Sequence, residues 1–524
     1  MPSEAPLFLA PRLADLSNPF AFSQMKKAVG LLRDMKRGSR VLIYGDYDVD
    51  GIASSVILNE MLSRLGLRTE VYIPERRKEG YGMKLERIKQ LVKSQIDCLI
   101  AVDSGISALE EISFLKKKGI PVLVLDHHEP QGTLPSADVI LNPKVPGESY
   151  PFEGLSSSGI TFQLARALEK RISGSDTEAL KYLDLAALGT ISDIVPLISD
   201  NRIIAKFGLE RISRSPRPGL AALRRLLALE GDLDTHHISF MIGPRLNAAG
   251  RIKHADLAYH LLTAEDILEA YEMAQNLQEL NLARQNLTDR ILLEALAAAD
   301  KQKDKKILIV SGKGWSIGVA GIVANRLVES FHKPALVFEE EGSYLRGSAR
   351  SIEGIDIYQL INPLKEFLES FGGHAGAAGL TLQAKNFSPF QKKLWQLTAK
   401  KIPAELLAPT LILDEELRVG EVTPQLHAEL TRLKPYGTGN EEPIFWLKDA
   451  SIQELRVIEG TRRGPHLKLI FEGLKIPAYW FGEGEKAPLF SGDRKVEGAL
   501  SFGTMNYLGQ PILRLKLHDI KLTS

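Results

Sequence analysis

The chain has 524 residues, room for about three or four domains at roughly 100–200 residues each. Hydrophobic residues make up 44% and charged residues 25%, which excludes a disordered or collagenous chain; a lone cysteine, Cys98, excludes a disulfide framework and any multi-cysteine zinc site. Lys plus Arg number 66 against 65 Asp plus Glu, so net charge gives no argument for nucleic acid and any basic surface must be locally segregated.

The first 20 residues carry acids and four prolines but no basic segment ahead of an apolar core, so no signal peptide is expected. No stretch approaches the ~18 apolar residues needed to cross a membrane, and a soluble, cytoplasmic protein is expected. From Arg40 onward, short apolar runs alternate with amphipathic ones. Strands are predicted at residues 41–44, 69–73, 98–102 and 121–125, with helices at 52–65, 83–93 and 107–118 between them. Continuous apolar strands separated by helices indicate a doubly wound parallel sheet, whose ligands bind beyond the carboxyl ends of the strands. Cys98 is expected to be a buried strand residue with no redox role. Residues 150–225 turn helical, and residues 264–302, with neither proline nor glycine, predict one helix of more than thirty residues. A second α/β unit runs from about 306 to 401. Beyond about 409, alternating strands such as 467–471 and 512–516, separated by Gly and Pro turns, predict a small β-barrel.

The acids and histidines collect at the strand ends. The first strand runs into Asp46-Tyr47-Asp48-Val49-Asp50-Gly51. Three carboxylates at spacing two share one side of an extended backbone and repel one another without a cation. An EF-hand fails here, because its twelfth position would be Ile57 where a bidentate Glu is required; a solvated acidic turn is the plain alternative. The third strand ends in Asp103, which alone reads as a helix cap, and the fourth in Asp126-His127-His128. Asp193 lies inside an apolar turn whose place relative to the sheet the pattern leaves open. Five aspartates and one or two imidazoles, with no thiolate, favour Mn²⁺ or Mg²⁺ over zinc, and two ions about 3.5–4 Å apart over one. Such a pair activates water and stabilises a leaving phosphate-ester oxygen, so the composition argues for hydrolysis at phosphorus.

Asp-His-His at 126–128, with the motif at 46–50, Asp103 and Asp193, resembles the DHH phosphoesterase superfamily. Further strings are similar to its RecJ branch of single-stranded-DNA exonucleases: Arg76-Arg77-Lys78-Glu79-Gly80-Tyr81-Gly82, then 243–251, 318–323, 347–351, 372–379 and 435–443. The resemblance runs from about residue 18 to the end. It implies an α/β multidomain chain: a DHH catalytic domain with an N-terminal extension (1–262), a connecting helix (263–302), an α/β DHHA1 domain (303–405) and a C-terminal OB-fold barrel (406–524). A further C-terminal domain found in some relatives is not expected, and Trp315-Ser316 stands where Trp-His is common.

By the same resemblance Asp48, Asp50, Asp103, His127 and Asp193 ligate two Mn²⁺ or Mg²⁺ ions, with Asp103 bridging; Asp46 belongs to the motif, its distance from the ions left open. Asp126 orients an imidazole, and His128 polarises a phosphate oxygen or protonates the leaving group. Arg245 and Arg350 are the guanidinium candidates for phosphate, with Asn247 and Ser348 beside them in the same strings. Gly372-Gly373-His374 reads as a nest of bare amides or as a tight turn between helix and strand. Residues 202–225 hold seven basic residues and one acid, either a solvated face or a wall that threads a single strand. In the barrel, Tyr479, Trp480, Phe481, Phe502 and Tyr507 are base-stacking candidates or core.

The activity implied is processive 5′-to-3′ hydrolysis of single-stranded DNA to mononucleotides in recombination and repair. No Gly-x-x-x-x-Gly-Lys-Ser/Thr string occurs, so no ATP use is expected; a helicase and a single-strand binding protein are family-level partners, and a monomer is expected. The alternatives are a phosphodiesterase of short RNAs or cyclic dinucleotides, a pyrophosphatase, or an inert DNA-binding scaffold.

Overall fold

The structure, a computed structural model, describes residues 5–75, 79–80, 82–130, 132–214, 217–252, 255–460, 464–490, 495–507 and 510–523. Arg76, Arg77, Lys78 and Tyr81 of the basic string, and the ring of Tyr507, lie outside the described residues. The chain forms two compact units, one comprising residues 16–195 and 203–409 and the other 1–15, 196–202 and 410–524.

The first sheet of the larger unit has the order β2-β1-β3-β4-β5 and is parallel throughout. Its strands are β1 (Arg40–Tyr44), β2 (Arg68–Tyr72), β3 (Cys98–Val102), β4 (Val122–Leu125) and β5 (Val139–Leu141). The first four match the expected strands to within a residue or two; β5, three residues long, is an addition to them. Cys98 is fully buried, and burial pushes its thiol up to about 12. Strand order reverses between β1 and β3, so the crevice at their carboxyl ends is where such sheets bind ligands. On one face Leu42, Leu99 and Val124 pack with Ile88 of α2 (Leu85–Leu91) and Ile112 and Leu115 of α3 (Leu109–Lys117).

Around the acidic loop, α1 (Val49–Arg64) is buried almost all round because it packs against both α4 (Ser157–Ser173) and α5 (Leu183–Ser192). Short α6 (Pro218–Leu226) and α7 (Gly243–Ile252) lie against the long helix α8 (Ile267–Asp300), whose N-terminus is closed by the Asp266 carboxylate. Its 34 residues span about 50 Å at ~1.5 Å per residue.

The second sheet is mixed, in the order β6-β7-β8-β10-β9. Its strands are β6 (Leu308–Lys313), β7 (Ala335–Glu341), β8 (Tyr344–Arg350), β9 (Leu368–His374) and β10 (Ala377–Gln383). Alternation in β6 sends Leu308 and Val310 toward α8 and α9 (Ile317–Phe331), while Ile309 joins Phe390 and Leu394 of α10 (Ala384–Lys401).

In the smaller unit, β12 (Phe445–Ile458), β13 (His466–Phe471), β14 (Ala478–Trp480), β16 (Gln510–Leu522) and β15 (Lys495–Tyr507) form a closed ring, with β11 (Glu415–Leu417) parallel to β12. Ring order 1-2-3-5-4 is that of an OB-fold barrel. Trp480 and Phe502 belong to its core, whereas Tyr479 and Phe481 stack on its outer side, 6.0 Å between centroids, with the Arg514 guanidinium 5.1 Å over Phe481.

The basic run at 202–225 is neither a plain solvated face nor a continuous wall. Buried Arg202 stacks 3.8 Å over Phe8 and donates to the carbonyls of Phe8 (2.9 Å), Arg432 (3.3 Å) and Lys434 (3.0 Å) within the smaller unit. Arg217 pairs with Glu60 (2.8 Å) and Asp184 (3.1 Å), and Arg224 donates to the carbonyls of Ile212, Ser213 and Gly231.

Candidate metal centre

The acidic loop is shaped by a helix start. Asp48 is the N-cap of α1, its Oδ1 accepting from the amides of Asp50 (3.0 Å) and Gly51 (3.1 Å). Helix therefore begins at Val49, and Asp50 projects from its first turn. This corrects the expectation that all three carboxylates share an extended backbone. Residue 51 must be glycine, since a Cβ there would lie 2.7 Å from the Asp46 Cβ. The buried Asp50 carboxylate accepts from the first amides of α4, Ser157 (2.7 Å) and Ser158 (3.0 Å), where the helix dipole favours an anion. Gly189 of α5 closes that contact: a Cβ there would meet Asp50 Oδ1 at 2.3 Å.

Asp103 leaves β3 at φ 57°, the left-handed region, and accepts from Ser157 Oγ (2.9 Å). It caps no helix. Asp126, at the end of β4 and fully buried, binds through both oxygens: Oδ2 accepts from Ile106 N (3.0 Å), while Oδ1 accepts from His128 N (3.1 Å) and lies 2.7 Å from His128 Nδ1. It orients His128. Asn142, just after β5, donates to the His128 carbonyl (2.9 Å). His127 Nε2 is buried without a hydrogen-bond partner, 3.4 Å from Asp103 Oδ1 and 3.5 Å from Asp193 Oδ2. Asp193, which the sequence could not place, caps the end of α5 and so joins the sheet's acids.

Three sets of donor atoms lie within 4.8 Å of one another: Asp46, Asp48 and Asp103; Asp50, His127 and Asp193; Asp103, His127 and His128. The first two share no residue and meet where Asp103 faces His127. Two cradles side by side, built only from carboxylate oxygen and imidazole nitrogen, fit two hard divalent cations.

The electrostatics agree. Burial, then the charge of Asp48, raises Asp50 to about 6; burial and the surrounding aspartates hold Asp103 and Asp193 well above the usual carboxylate range. Burial, then the charge of His128, pushes His127 down to about 3, leaving a neutral imidazole suited to a metal. For His128, burial is outweighed by the hydrogen bond and charge of Asp126, which hold it up at about 9. Crowded buried carboxylates beside a neutral imidazole with an unpartnered nitrogen are costly for a metal-free protein, and a cation relieves every one of those costs.

The phosphate candidates divide. Arg350 Nη1 donates to Ser348 Oγ (3.1 Å), and Gly321 of α9 makes room for them, since a Cβ there would stand 2.9 Å from Arg350 Nη2. Burial, then the charges of Arg350 and His128, lowers the His374 pKa. Gly372 and Gly373 lie in the edge strand β9, paired with Gly379 and Ala378, and lead into a hairpin. This corrects both expectations for the segment, which is neither a nest nor a helix-to-strand turn. At Gly373, φ is 149° and a Cβ would clash with the Ala377 carbonyl at 2.3 Å. Arg245 of α7 turns to α8, donating to Gln278 Oε1 (2.8 Å), and also donates to the Met241 carbonyl (2.5 Å); Asn247 is half-buried on α7. Trp315 is anchored on Glu294 (2.7 Å), and Ser316 stands at the N-cap of α9 without a capping bond of its own.

Sequence reasoning missed Ser157, Ser158, Asn142 and Gly189. Ser156-Ser157-Ser158-Gly159 ahead of an apolar run does signal a helix start, but not which carboxylate that start faces.

Family models match residues 40–190 (DHH family, N-terminal domain), 304–400 (DHHA1 domain) and 413–519 (RecJ OB domain). The chain is 35% identical over 519 residues to the single-stranded-DNA-specific exonuclease RecJ of Bacillus subtilis; this covers 98% of the chain but only 65% of that protein's length. With the RecJ of Haemophilus influenzae the identity is 34% over 482 residues, covering 88% of this chain and 83% of the relative. Among solved structures, RecJ from Thermus thermophilus in complex with Mn²⁺ matches with a TM-score of 0.85 at 29% identity, covering 98% of this chain and 74% of that one.

Proposed function

The chain belongs to the RecJ family of single-stranded-DNA-specific exonucleases, and from that premise we propose that it hydrolyses single-stranded DNA processively from the 5′ end to mononucleotides. The two adjoining triads of hard donors at the carboxyl ends of a parallel sheet are the observation that carries this reading. Asp46, Asp48 and Asp103 hold one Mn²⁺ or Mg²⁺, and Asp50, His127 and Asp193 the other. When bound, the two ions make a water acidic and neutralise charge building on the phosphate.

The chain's own residues supply the rest. Asp126 keeps His128 protonated and pointed, and His128 gives its proton to the leaving ester oxygen or steadies a non-bridging one. Ser348, Arg350 and His374 grip a phosphate on the far side of the site, where Gly372 and Gly373 leave the edge of β9 uncluttered. Arg245 and Asn247 act from α7, which carries Gly250 close against the Tyr47 carbonyl of the acidic loop. On the barrel, Tyr479, Phe481 and Arg514 form a stacking surface for bases, supported by their outward alternation and their charge. We assign 1–262 to the catalytic domain, apart from residues 1–15 and 196–202, which group with the barrel, 263–302 to the connecting helix, 303–405 to DHHA1 and 406–524 to the OB-fold. On this reading the protein acts in the cytoplasm, beside a helicase and a single-strand binding protein that expose the strand. No helix among the described residues is long and apolar enough to cross a membrane.

The test is Mn²⁺-dependent digestion of a long single-stranded DNA labelled at either end, beside the duplex of the same sequence and a dinucleotide RNA. Progressive release of mononucleotides from the 5′ end of the single strand alone is expected. Cleavage confined to the dinucleotide would move the chain to the short-oligonucleotide branch, and no cleavage at all would leave a scaffold.

A further inference from the structure

Residues His237–Ile242 form a single turn of π-helix that runs directly into α7. Such turns are rare and poorly bonded, and they persist where their geometry is used. This one is tied down at both ends. At its start, His237 N donates to Asp234 Oδ1 (3.1 Å), and the His237 ring Nδ1 lies 2.6 Å from the same oxygen. Further on, Ser239 Oγ donates to the Ile191 carbonyl (3.4 Å), and Gly243 seats so closely on α5 that a Cβ would stand 3.0 Å from Ser192 Oγ. The turn is therefore fastened to the last turn of the helix that delivers Asp193.

Between these ties Phe240 stands out from the surface, 68% exposed. The His236 ring stacks beneath it, 4.9 Å between centroids and 30° from parallel. Ile194, the residue after Asp193, is also 68% exposed and is held at φ 60°, a conformation that β-branched residues avoid. An exposed phenyl ring fastened to the end of the helix that delivers Asp193, and an exposed Ile directly after that acid, are poor design for a substrate-free protein. Neither a cation nor a phosphate has any use for a phenyl ring. The nucleobase is the part of a nucleic acid that does, and an aromatic ring propped by a second ring and open on its other face is a stacking platform.

We propose that Phe240, supported by His236, stacks on a nucleobase within one or two nucleotides of the scissile phosphate and so sets the register of the strand over the metal centre. This rests on the DNA-hydrolysing reading above and adds a base-binding subsite to it.

The experiment pairs Phe240→Ala and Phe240→Trp with a series of DNA strands, each carrying one abasic site at successive positions from the 5′ end. Phe240→Ala is expected to raise KM for intact strands about five- to a hundredfold, the span of base–aromatic stacking, with kcat nearly unchanged. Phe240→Trp is expected to restore it. In the unaltered protein one or two abasic positions should raise KM by a similar factor; in Phe240→Ala the same positions should have no further effect. An unchanged KM in Phe240→Ala, or an abasic profile identical to that of the unaltered protein, would overturn the platform. A melting temperature and Mn²⁺-induced stabilisation equal to those of the unaltered protein would exclude loss by misfolding. If the unaltered chain degrades no DNA, the parent reading falls and the platform falls with it.

Discussion

Replacing Asp103 with asparagine is expected to cut hydrolysis about ten-thousandfold, roughly 5.4 kcal/mol at ~1.36 kcal/mol per tenfold, and to raise the melting temperature of the metal-free protein. Asparagine is the right probe because it keeps the shape and tolerates the left-handed φ of 57° that alanine would resist. Asp103 completes the cradle with Asp46 and Asp48 and faces His127 of the other at 3.4 Å, so its loss dismantles one cradle and strips a neighbouring charge from the second. Stability should move the other way. Burial, then the charges of Asp48, Asp50, Asp46 and Asp193, raises the Asp103 pKa. A carboxyl with a raised folded pKa stabilises the fold at acidic pH, below its unfolded value, and loses that contribution as pH rises through the folded value. Above that folded value the ionised group is a burden that a neutral amide in its place would not carry. The gain in melting temperature on adding Mn²⁺ should shrink correspondingly. Full activity at saturating Mn²⁺, or a metal-free variant that melts lower than the unaltered chain, would contradict this account.

The Asp126–His128 pair carries the second large effect. His128→Gln is expected to cost about a hundred- to ten-thousandfold in kcat, the usual worth of a positioned proton donor. Asp126→Asn should act through pH instead. In the unaltered chain, Asp126 overcomes burial and holds His128 charged up to about 9. The ion pair's contribution to stability is complete below the unfolded imidazole value of ~6.5 and fades as pH climbs to about 9. With the carboxylate gone, burial dominates and the imidazole loses its proton at lower pH, so the alkaline limb of the kcat–pH profile should shift toward neutrality. Identical alkaline limbs in the two proteins would remove His128 from the proton-donor role.

The parallel sheet and its acidic edge are legible because buried strands read as unbroken apolar runs, and polar residues interrupt them only where the chain emerges. Strand β5 is not, because three apolar residues carry no periodicity. Asp50 reads as part of an extended stretch because the helix start depends on Asp48 as cap, a choice between neighbouring residues that pattern does not settle. Asp193 cannot be placed from pattern at all: its arrival at the site is decided by Gly189 packing against Asp50, a contact between residues 139 positions apart. The basic run misleads for the same reason. Arg202, Arg217 and Arg224 find carbonyls or acids elsewhere in the chain, and a local count of charge cannot reveal partners such as Glu60. The barrel aromatics are sortable in principle, since alternation in β14 puts Trp480 inside and Tyr479 outside. Phe240 is not, because a π-turn breaks the helical period on which a surface reading depends.

The central claim is that two divalent ions sit side by side among these carboxylates and imidazoles. Anomalous diffraction from crystals grown with Mn²⁺ tests it directly. Two peaks about 3.5–4 Å apart are expected, one bounded by Asp46, Asp48 and Asp103 and the other by Asp50, His127 and Asp193. A single peak, or peaks that leave His127 without a metal, would contradict the account.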